Sequence, residues 1–150
     1  VIFMDVGNTV ALREAKALFA HTMATCVEMS LDEHDKLVAY VLGLSHLLNI
    51  SFFTALRTSG EEADRLHKMS STSFDAQLKV AHRISTENPH LYYEIQRLND
   101  FRHGPQRSLT AALKEIIEVI EKDDEQEFVK IMKSGKQYLQ SLPYSGQKAP

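Results

Sequence analysis

A helix-length run without a formal charge stands out in the pattern of apolar and polar residues. It covers residues 37–56 and is bracketed by Lys36 and Arg57. A segment this apolar is expected to be buried, because removing apolar side chains from water stabilises the folded chain. His46 lies near its middle. A histidine there must either be hydrogen-bonded or take part in a functional site, since a buried polar group without a partner is costly.

The same run is long enough to span a lipid bilayer. Five polar residues interrupt it: Ser45, His46, Asn49, Ser51 and Thr54. It also lacks the aromatic belt and the basic flank that are typical of membrane helices. We therefore predict the core helix of a soluble domain, with no membrane as partner.

The residues before this run predict a β-α-β unit. Residues 1–6 and 25–29 are short apolar runs typical of buried strands. Between them, residues 11–23 carry an apolar stripe at helical spacing. A strand, a helix and a strand within about thirty residues imply a parallel strand pair. Because two parallel strands cannot cover both of their faces, we expect the rest of the sheet to lie upstream of Val1.

After Ser30 the pattern predicts helices alone. A capping box, Ser30-Leu31-Asp32-Glu33, opens the long apolar helix. Amphipathic stripes and breaks predict the following helices: 61–69, 74–84, one from Asn88-Pro89 to a break at Gly104-Pro105, and two that form an antiparallel hairpin linked by Asp123-Asp124. The hairpin stripes are Leu109, Leu113, Ile116, Ile117 and Ile120, answered by Phe128, Ile131, Met132, Tyr138 and Leu139. Pro143 is expected to end the last helix.

The expected architecture is mainly α, a helical bundle preceded by the β-α-β remnant of an α/β domain. The predicted divisions are residues 1–30, 31–142 and a tail at 143–150. The chain has 150 residues and a net charge of −3, without a basic stripe dense enough for nucleic acid. Cys26 is its one cysteine. A disulfide framework is thus excluded and a reducing, cytoplasmic setting is expected.

Seven histidines raise the question of a metal site. His34-Asp35 resembles the doublet of metal phosphohydrolases, which needs further ligands on facing helices, and His46 and Asp64 are available. The alternative is that His34 and Asp35 occupy a first helical turn, where Asp suits the helix dipole. The short doublet favours the second interpretation, and we predict no metal.

His46 shares its helix face with Gly43 and Asn49. Glycine costs about 1 kcal/mol against alanine inside a helix, so Gly43 suggests the close approach of another helix or a ligand. The alternative for His46 is a core histidine bonded to a backbone carbonyl. Arg83 can bond the last carbonyls of its helix or offer a fork to a carboxylate.

Two segments resemble the prephenate dehydrogenase family. Residues 28–49, EMSLDEHDKLVAYVLGLSHLLN, are similar to its junction between the Rossmann domain and the first long helix of the C-terminal domain. Residues 70–95, SSTSFDAQLKVAHRISTENPHLYYEI, are similar to its segment ending in Arg, an Asn-Pro turn and Leu-Tyr. The closing hairpin fits the final helices in length and pattern. The resemblance covers nearly the whole chain and rests on the order and spacing of these segments.

The resemblance implies the C-terminal, substrate-binding and dimerisation domain of an enzyme that oxidatively decarboxylates prephenate to 4-hydroxyphenylpyruvate with NAD or NADP, on the route to tyrosine. By position, His46 and Arg83 match substrate contacts, and Tyr92 matches a tyrosine near the substrate side-chain pocket. Leu42 stands where some members have a serine, so that contact is expected to be lost or to be replaced by Ser45. The family's catalytic histidine and glycine-rich loop have no counterpart in these residues, which implies that this chain alone is inactive.

Two other classes of function stay open at this point: a non-catalytic helical regulatory or adaptor module, and the metal phosphohydrolase. Within the resemblance, several alternatives are also open. They are prephenate against arogenate as substrate, 4-hydroxyphenylpyruvate or tyrosine as product, NAD against NADP, and fusion to a mutase or dehydratase domain. A homodimer through the helical domain is expected.

Overall fold

A computed structural model describes residues 1–142 of the chain. Its first elements are strand β1 (Ile2–Met4), helix α1 (Thr9–Phe19) and strand β2 (Val27–Met29). The two strands pair in parallel, with Ile2 opposite Val27 and Met4 opposite Met29. The predicted β-α-β unit is therefore confirmed, although both strands are shorter than predicted and α1 ends four residues before Met23.

Side-chain contacts hold this small unit together. The ring of Phe3 is buried and meets the ring of Phe19 edge to face, with 5.8 Å between the ring centroids. The side-chain oxygen of Asn8 accepts a hydrogen bond from the backbone N–H of Ala11 at 3.0 Å, which caps α1. Leu18 remains largely exposed on the same helix. The expectation of further strands beside this pair stays a prediction.

The long apolar run forms helix α2 (Leu31–Thr58). The predicted capping box opens it: the Ser30 hydroxyl accepts from the Glu33 N–H at 3.2 Å, and the Glu33 carboxylate accepts from the Ser30 N–H at 2.8 Å. The bonds that the Glu33 carboxylate accepts from the Ser30 N–H and, at 2.9 Å, from the Ser30 hydroxyl hold the pKa of Glu33 below its usual value. Within α2, the segment Ala39–Leu44 is π-helical, which the apolar pattern did not predict.

The remaining elements are α3 (Ala63–Lys68), α4 (Thr72–Thr86), α5 (Pro89–Leu98), α6 (His103–Glu121) and α7 (Glu125–Gln140). The described chain is thus mainly helical after a two-stranded edge, as predicted. The predicted break at Gly104-Pro105 is wrong. The preceding helix already ends at Leu98, and Gly104-Pro105 lies in the first turn of α6, where proline needs no N–H partner.

Helix α2 packs most closely on α4. The rings of Phe52 and Phe74 meet edge to face at 5.9 Å between centroids, and Ala81 on α4 is buried. Asn49 is buried as well, and its side-chain oxygen accepts a hydrogen bond from Gln77 at 2.8 Å. The predicted burial of residues 37–56 is nevertheless wrong for one face of the helix, where Tyr40, Val41, Leu42 and Leu48 are exposed.

The chain divides into two compact units, one over Val1–Arg107 and a second that begins at Ser108. In the second, the predicted link at Asp123-Asp124 is present: Asp123 has a positive φ of 53°. Its apolar stripes are not buried, since Ile117, Ile120 and Met132 all remain more than half exposed. The predicted division at residue 30 stays a prediction, and the predicted tail, 143–150, lies outside the described residues.

Candidate functional site

One cavity in the unit Val1–Arg107 brings all four predicted site residues together. It has a volume of about 450 Å³, and its wall includes Ser45 and His46 from α2, Arg83 from α4 and Tyr92 from α5. Leu42 lies in the same wall. Residues that are up to 47 positions apart in the sequence thus face one space, which is large enough for a small ligand.

His46 and Tyr92 form the centre of this wall. Their rings lie 4.5 Å apart between centroids and are tilted by 60°. The Nδ1 atom of His46 is buried and has no hydrogen-bond partner among the described residues. The predicted alternative, a core histidine bonded to a backbone carbonyl, therefore finds no support at Nδ1. A buried polar atom left in this way calls for an explanation, and a ligand is one.

The charge of His46 is set by its surroundings. Burial lowers the pKa of its imidazole, because the charged form is poorly solvated there. The Glu87 carboxylate acts in the opposite direction, and the Arg83 guanidinium adds to the lowering. The neutral imidazole is thus favoured at neutral pH, and it can donate one hydrogen bond and accept another.

Glu87 is a member of the site that the sequence did not predict. It lies between α4 and α5, and its carboxylate accepts a hydrogen bond from the Tyr92 hydroxyl at 2.6 Å. This bond is the main reason that the pKa of Tyr92 is raised, so the phenol stays protonated and donates. A signal did exist: Glu87 directly precedes the Asn88-Pro89 cap, at a corner between two helices that both carry predicted site residues.

Arg83 is not used to close its own helix. The hydroxyls of Ser85 and Thr86 donate to the carbonyls of His82 and Arg83 at 2.8 and 2.9 Å, at the end of α4. The predicted alternative role of the Arg83 guanidinium is thus filled by neighbouring hydroxyls. Its side chain lies in the cavity wall instead, where it can offer a fork of donors to a carboxylate.

Ser45 faces the cavity, but its hydroxyl already donates a hydrogen bond within its own helix. Its hydroxyl donates to the carbonyl of Val41 at 2.7 Å and also approaches that of Leu42 at 3.2 Å. Both carbonyls belong to the π-helical segment, and a serine hydroxyl often bonds back to a carbonyl of the preceding helical turn. The oxygen of Ser45 can still accept a hydrogen bond from a ligand.

Gly43 serves the site through its backbone. Its carbonyl accepts a hydrogen bond from the Gln96 side chain at 2.8 Å, which ties α2 to α5. A Cβ atom built on Gly43 would meet no heavy atom within 4 Å from another described part of the chain. No other described element thus crowds the Cα of Gly43, so the approach of another helix does not by itself require glycine there, and the approach of a ligand stays a prediction. The π-helical turn, a feature often found at functional sites, carries this carbonyl and leads directly into Ser45 and His46.

The candidate metal residues do not come together in the described part of the chain. His34 Nδ1 lies 2.9 Å from the carboxylate of Asp35, its own neighbour. Within residues 1–142, no group of three or more His, Cys, Asp or Glu side chains could hold a metal ion. The phosphohydrolase alternative thus gains no support from this structure.

Helix α2 is also long and apolar enough, by length and composition, to cross a membrane. Its most apolar window has a mean hydropathy of 1.6, and a small share of that window is buried within the chain. The core helix of a domain passes the same test, so a single helix of this kind is weak evidence for a span.

The fold and the cavity define a class: a helical, ligand-binding domain that follows the edge of an α/β sheet. A family model described as "Prephenate dehydrogenase, dimerization domain" matches residues 30–134, which include α2 and every residue of the cavity. The chain belongs to the prephenate dehydrogenase family.

A curated relative agrees with this assignment. The chain is 29% identical over 110 residues to a Methanocaldococcus jannaschii protein named "Probable arogenate/prephenate dehydrogenase". The match covers 73% of this chain and 25% of the relative. The chain therefore spans about a quarter of the length of the protein that it resembles, and it corresponds to the C-terminal domain of a prephenate dehydrogenase.

Proposed function

We propose that this chain binds the substrate and forms the dimer interface in a dehydrogenase that acts on prephenate or arogenate in tyrosine synthesis. The observation that supports this most strongly is the single cavity that Ser45, His46, Arg83 and Tyr92 share. These are the positions that the family resemblance marks for substrate. The alternative adaptor function would not require a buried, unpaired imidazole atom beside a guanidinium.

In this proposal, each cavity residue has a distinct role toward the ligand. Arg83 pairs with a substrate carboxylate through two parallel N–H bonds. His46, kept neutral by burial, bonds a second polar group through Nδ1. Tyr92 is fixed by Glu87 and presents its ring beside His46, where it limits the space for the substrate side chain.

We propose NAD or NADP as the cofactor of the complete enzyme. The nicotinamide would accept the hydride from the ring carbon that bears the hydroxyl, while carbon dioxide leaves and the ring becomes aromatic. The 150-residue sequence contains no Gly-x-Gly-x-x-Gly motif, and this pattern is what holds a dinucleotide pyrophosphate at a Rossmann edge. We therefore assign no residue of this chain to the cofactor.

We also propose that a second copy covers the exposed apolar faces. Tyr40 and Val41 on α2, and Ile117, Ile120 and Met132 on α6 and α7, are each close to or more than half exposed. Apolar surface of this extent is uncommon on a monomer and is typical of an interface. A cytoplasmic location belongs to the same proposal, because Cys26 is a single thiol without a disulfide partner.

Titration calorimetry with 4-hydroxyphenylpyruvate and L-tyrosine tests the binding role. We expect Arg83→Ala to weaken binding of either ligand by about tenfold to a hundredfold, the value of a charge-assisted bond. Arg83→Lys should recover part of this loss, because lysine keeps the charge without the fork. Arg97→Ala is the matched control, since Arg97 is exposed on α5 and outside the cavity wall.

Two results would contradict the proposal. One is a wild-type chain that binds neither compound at millimolar concentration, which would favour the adaptor alternative. The other is an Arg83→Ala variant that binds as tightly as the wild type, because the cavity would then not be the binding site.

A further inference from the structure

Gln96 lies outside the wall of the candidate cavity but is bonded to the part of α2 that leads into that wall. Its side-chain amide donates to the Gly43 carbonyl at 2.8 Å, across 53 positions of the sequence. Gly43 is buried in the π-helical segment, and α5 packs against this segment. The bond is therefore a tertiary tie between α5 and a buried stretch of α2 backbone.

This tie lies next to the pair of rings at the centre of the cavity wall. On α2, His46 follows Gly43 by three residues, and on α5 Tyr92 precedes Gln96 by four. Residues four apart lie on the same face of a helix, so Tyr92 and Gln96 both face α2. The hydrogen bond and the ring contact, with 4.5 Å between ring centroids, thus join the same two helices at neighbouring points.

Of these two contacts, the hydrogen bond is the more exacting. Aromatic pairs are favourable over centroid distances of about 4.5 to 7 Å, whereas an N–H···O bond holds its two heavy atoms to about 2.7 to 3.2 Å. The gap beside Gly43 and Gln96 has a volume of about 10 Å³, near the lower limit for one water molecule. The amide is thus closely packed, and its bond defines the register of α5 on α2.

We propose that Gln96 is a positioning residue, whose bond to the Gly43 carbonyl holds the Tyr92 ring against His46 and so sets the shape of the cavity. It acts on a ligand through these two residues, since its own side chain is not part of the cavity wall. The effect on ligand binding rests on the proposed function, whereas the alignment of the two rings can be measured without a ligand.

Gln96→Met tests this role, because methionine has a similar length and no donor. In NMR spectra of the 150-residue chain, the His46 Cε1 proton is identified by its loss in His46→Asn, and it is displaced by the ring current of Tyr92. We expect Gln96→Met to move this signal toward its position in Tyr92→Leu. Calorimetry should show binding of 4-hydroxyphenylpyruvate weakened by about threefold to tenfold, the factor that one net hydrogen bond contributes to an equilibrium.

Gln77→Met is the matched control. Gln77 also donates to α2 at 2.8 Å, to the Asn49 side chain, but it does so from α4 and lies outside the cavity wall. Its loss should lower stability by a similar amount and leave the His46 signal in place. An equal displacement of that signal in both variants would overturn the inference, because a general loosening of the fold would then explain it.

The remaining outcomes separate the role of Gln96 from the proposed function. An unchanged His46 signal in Gln96→Met overturns the inference, and so does an unchanged affinity where the wild type binds; the proposed function stands in either case. If the wild type binds no ligand, the proposed function fails, and the His46 signal still decides whether Gln96 aligns the rings. If the variant does not fold, the wild type decides. We expect a nuclear Overhauser contact between the Gln96 amide protons and the Gly43 α protons, and its absence would overturn the inference.

Discussion

Polar side chains make different kinds of contact in the two units of this chain. Around the cavity they reach from one helix to another: Gln77 donates to Asn49 and Gln96 donates to the Gly43 carbonyl, both at 2.8 Å. In the C-terminal helices the ion pairs join residues three or four apart on one helix, as Lys130 and Glu127 do at 2.6 Å. The first unit is thus specified by its own tertiary contacts, whereas local pairs on a helix surface contribute little.

The apolar residues show the same contrast. In the first unit, Ala39 and Ala81 are buried where helices meet. In the second, Ile117 and Ile120 stay more than half exposed, although they belong to a clear helical stripe. An apolar stripe at helical spacing is typical of a helix face that packs against another element. The cavity region thus buries its apolar residues within one chain, while the C-terminal helices leave an apolar surface that the proposed second copy would cover.

Charged substitutions in the exposed stripe on α6 test the role of this surface. We expect the wild type to be a dimer and the double substitution Ile117→Glu with Ile120→Glu to raise its dissociation constant by at least about a hundredfold, because an unpaired charge in an interface costs several kcal/mol. Light scattering coupled to size-exclusion chromatography measures this. Glu115→Gln, on the opposite side of the same helix, is the control and should stay dimeric.

A wild-type monomer at micromolar concentration would contradict the proposed dimer. So would a charged variant that remains a dimer, since the partner would then have to sit on another surface. Tyr40→Glu distinguishes the two exposed faces, because Tyr40 lies on α2 in the first unit. If it alone breaks the dimer, the interface belongs to the long helix.

A substitution at Asn49 removes a tertiary polar contact from the cavity region. Asn49 is 6% exposed, donates to the Ser45 carbonyl and accepts from Gln77, each at 2.8 Å. Asn49→Ala should lower the free energy of unfolding by about 1–3 kcal/mol, because Gln77 and the Ser45 carbonyl each lose a hydrogen-bond partner.

Denaturant unfolding of the wild type, the two single variants and the double variant measures the coupling between Asn49 and Gln77. The double variant Asn49→Ala with Gln77→Ala should lose less than the sum of the two single variants, since the bond can be lost only once. Strict additivity would show that the two side chains are not coupled. An unfolding free energy that does not change in Asn49→Ala would show that the buried amide has no role in stability.

The fold was largely predictable because most of its helices have local sequence patterns that mark them. The capping box at Ser30, the Asn88-Pro89 cap and the helical stripes are patterns of neighbouring residues, and the structure contains each of them. The end of α5 was misplaced for the opposite reason. It is fixed by Asn99, whose side chain donates to the Asp35 carbonyl at 2.8 Å, 64 residues away. A contact that distant leaves no local signal.

The site was predictable only in part. The charge-free run marked His46, and the helix pattern gave Arg83 either a capping role or a fork for a carboxylate. Tyr92 and Ser45 entered through the family resemblance. The π-helical turn that precedes Ser45 has no sequence signature in a run of apolar residues. Glu87 was missed because a glutamate beside a helix cap looks like a surface residue until the fold brings it to Tyr92.

The smallest predicted effect is the pH dependence of the cavity region. Burial lowers the pKa of His46 below its ordinary 6.5. As the pH falls through that value, the unfolded chain takes up a proton more readily than the folded chain, so the folded state loses stability. Above it, both forms are neutral and the contribution vanishes. The slope from this residue is at most about 1.4 kcal/mol per pH unit.

Replacing His46 by asparagine should therefore flatten the fall of stability between pH 7 and pH 5, as measured by denaturant unfolding at closely spaced pH values. Stability at pH 8 is the internal reference, because the imidazole is neutral there in both states. A steeper fall in His46→Asn would mean that the wild-type imidazole is stabilised as a cation, with Glu87 outweighing burial and Arg83. His46 would then meet a ligand as a donor at both ring nitrogens, and its pairing with a substrate carboxylate would compete with that of Arg83.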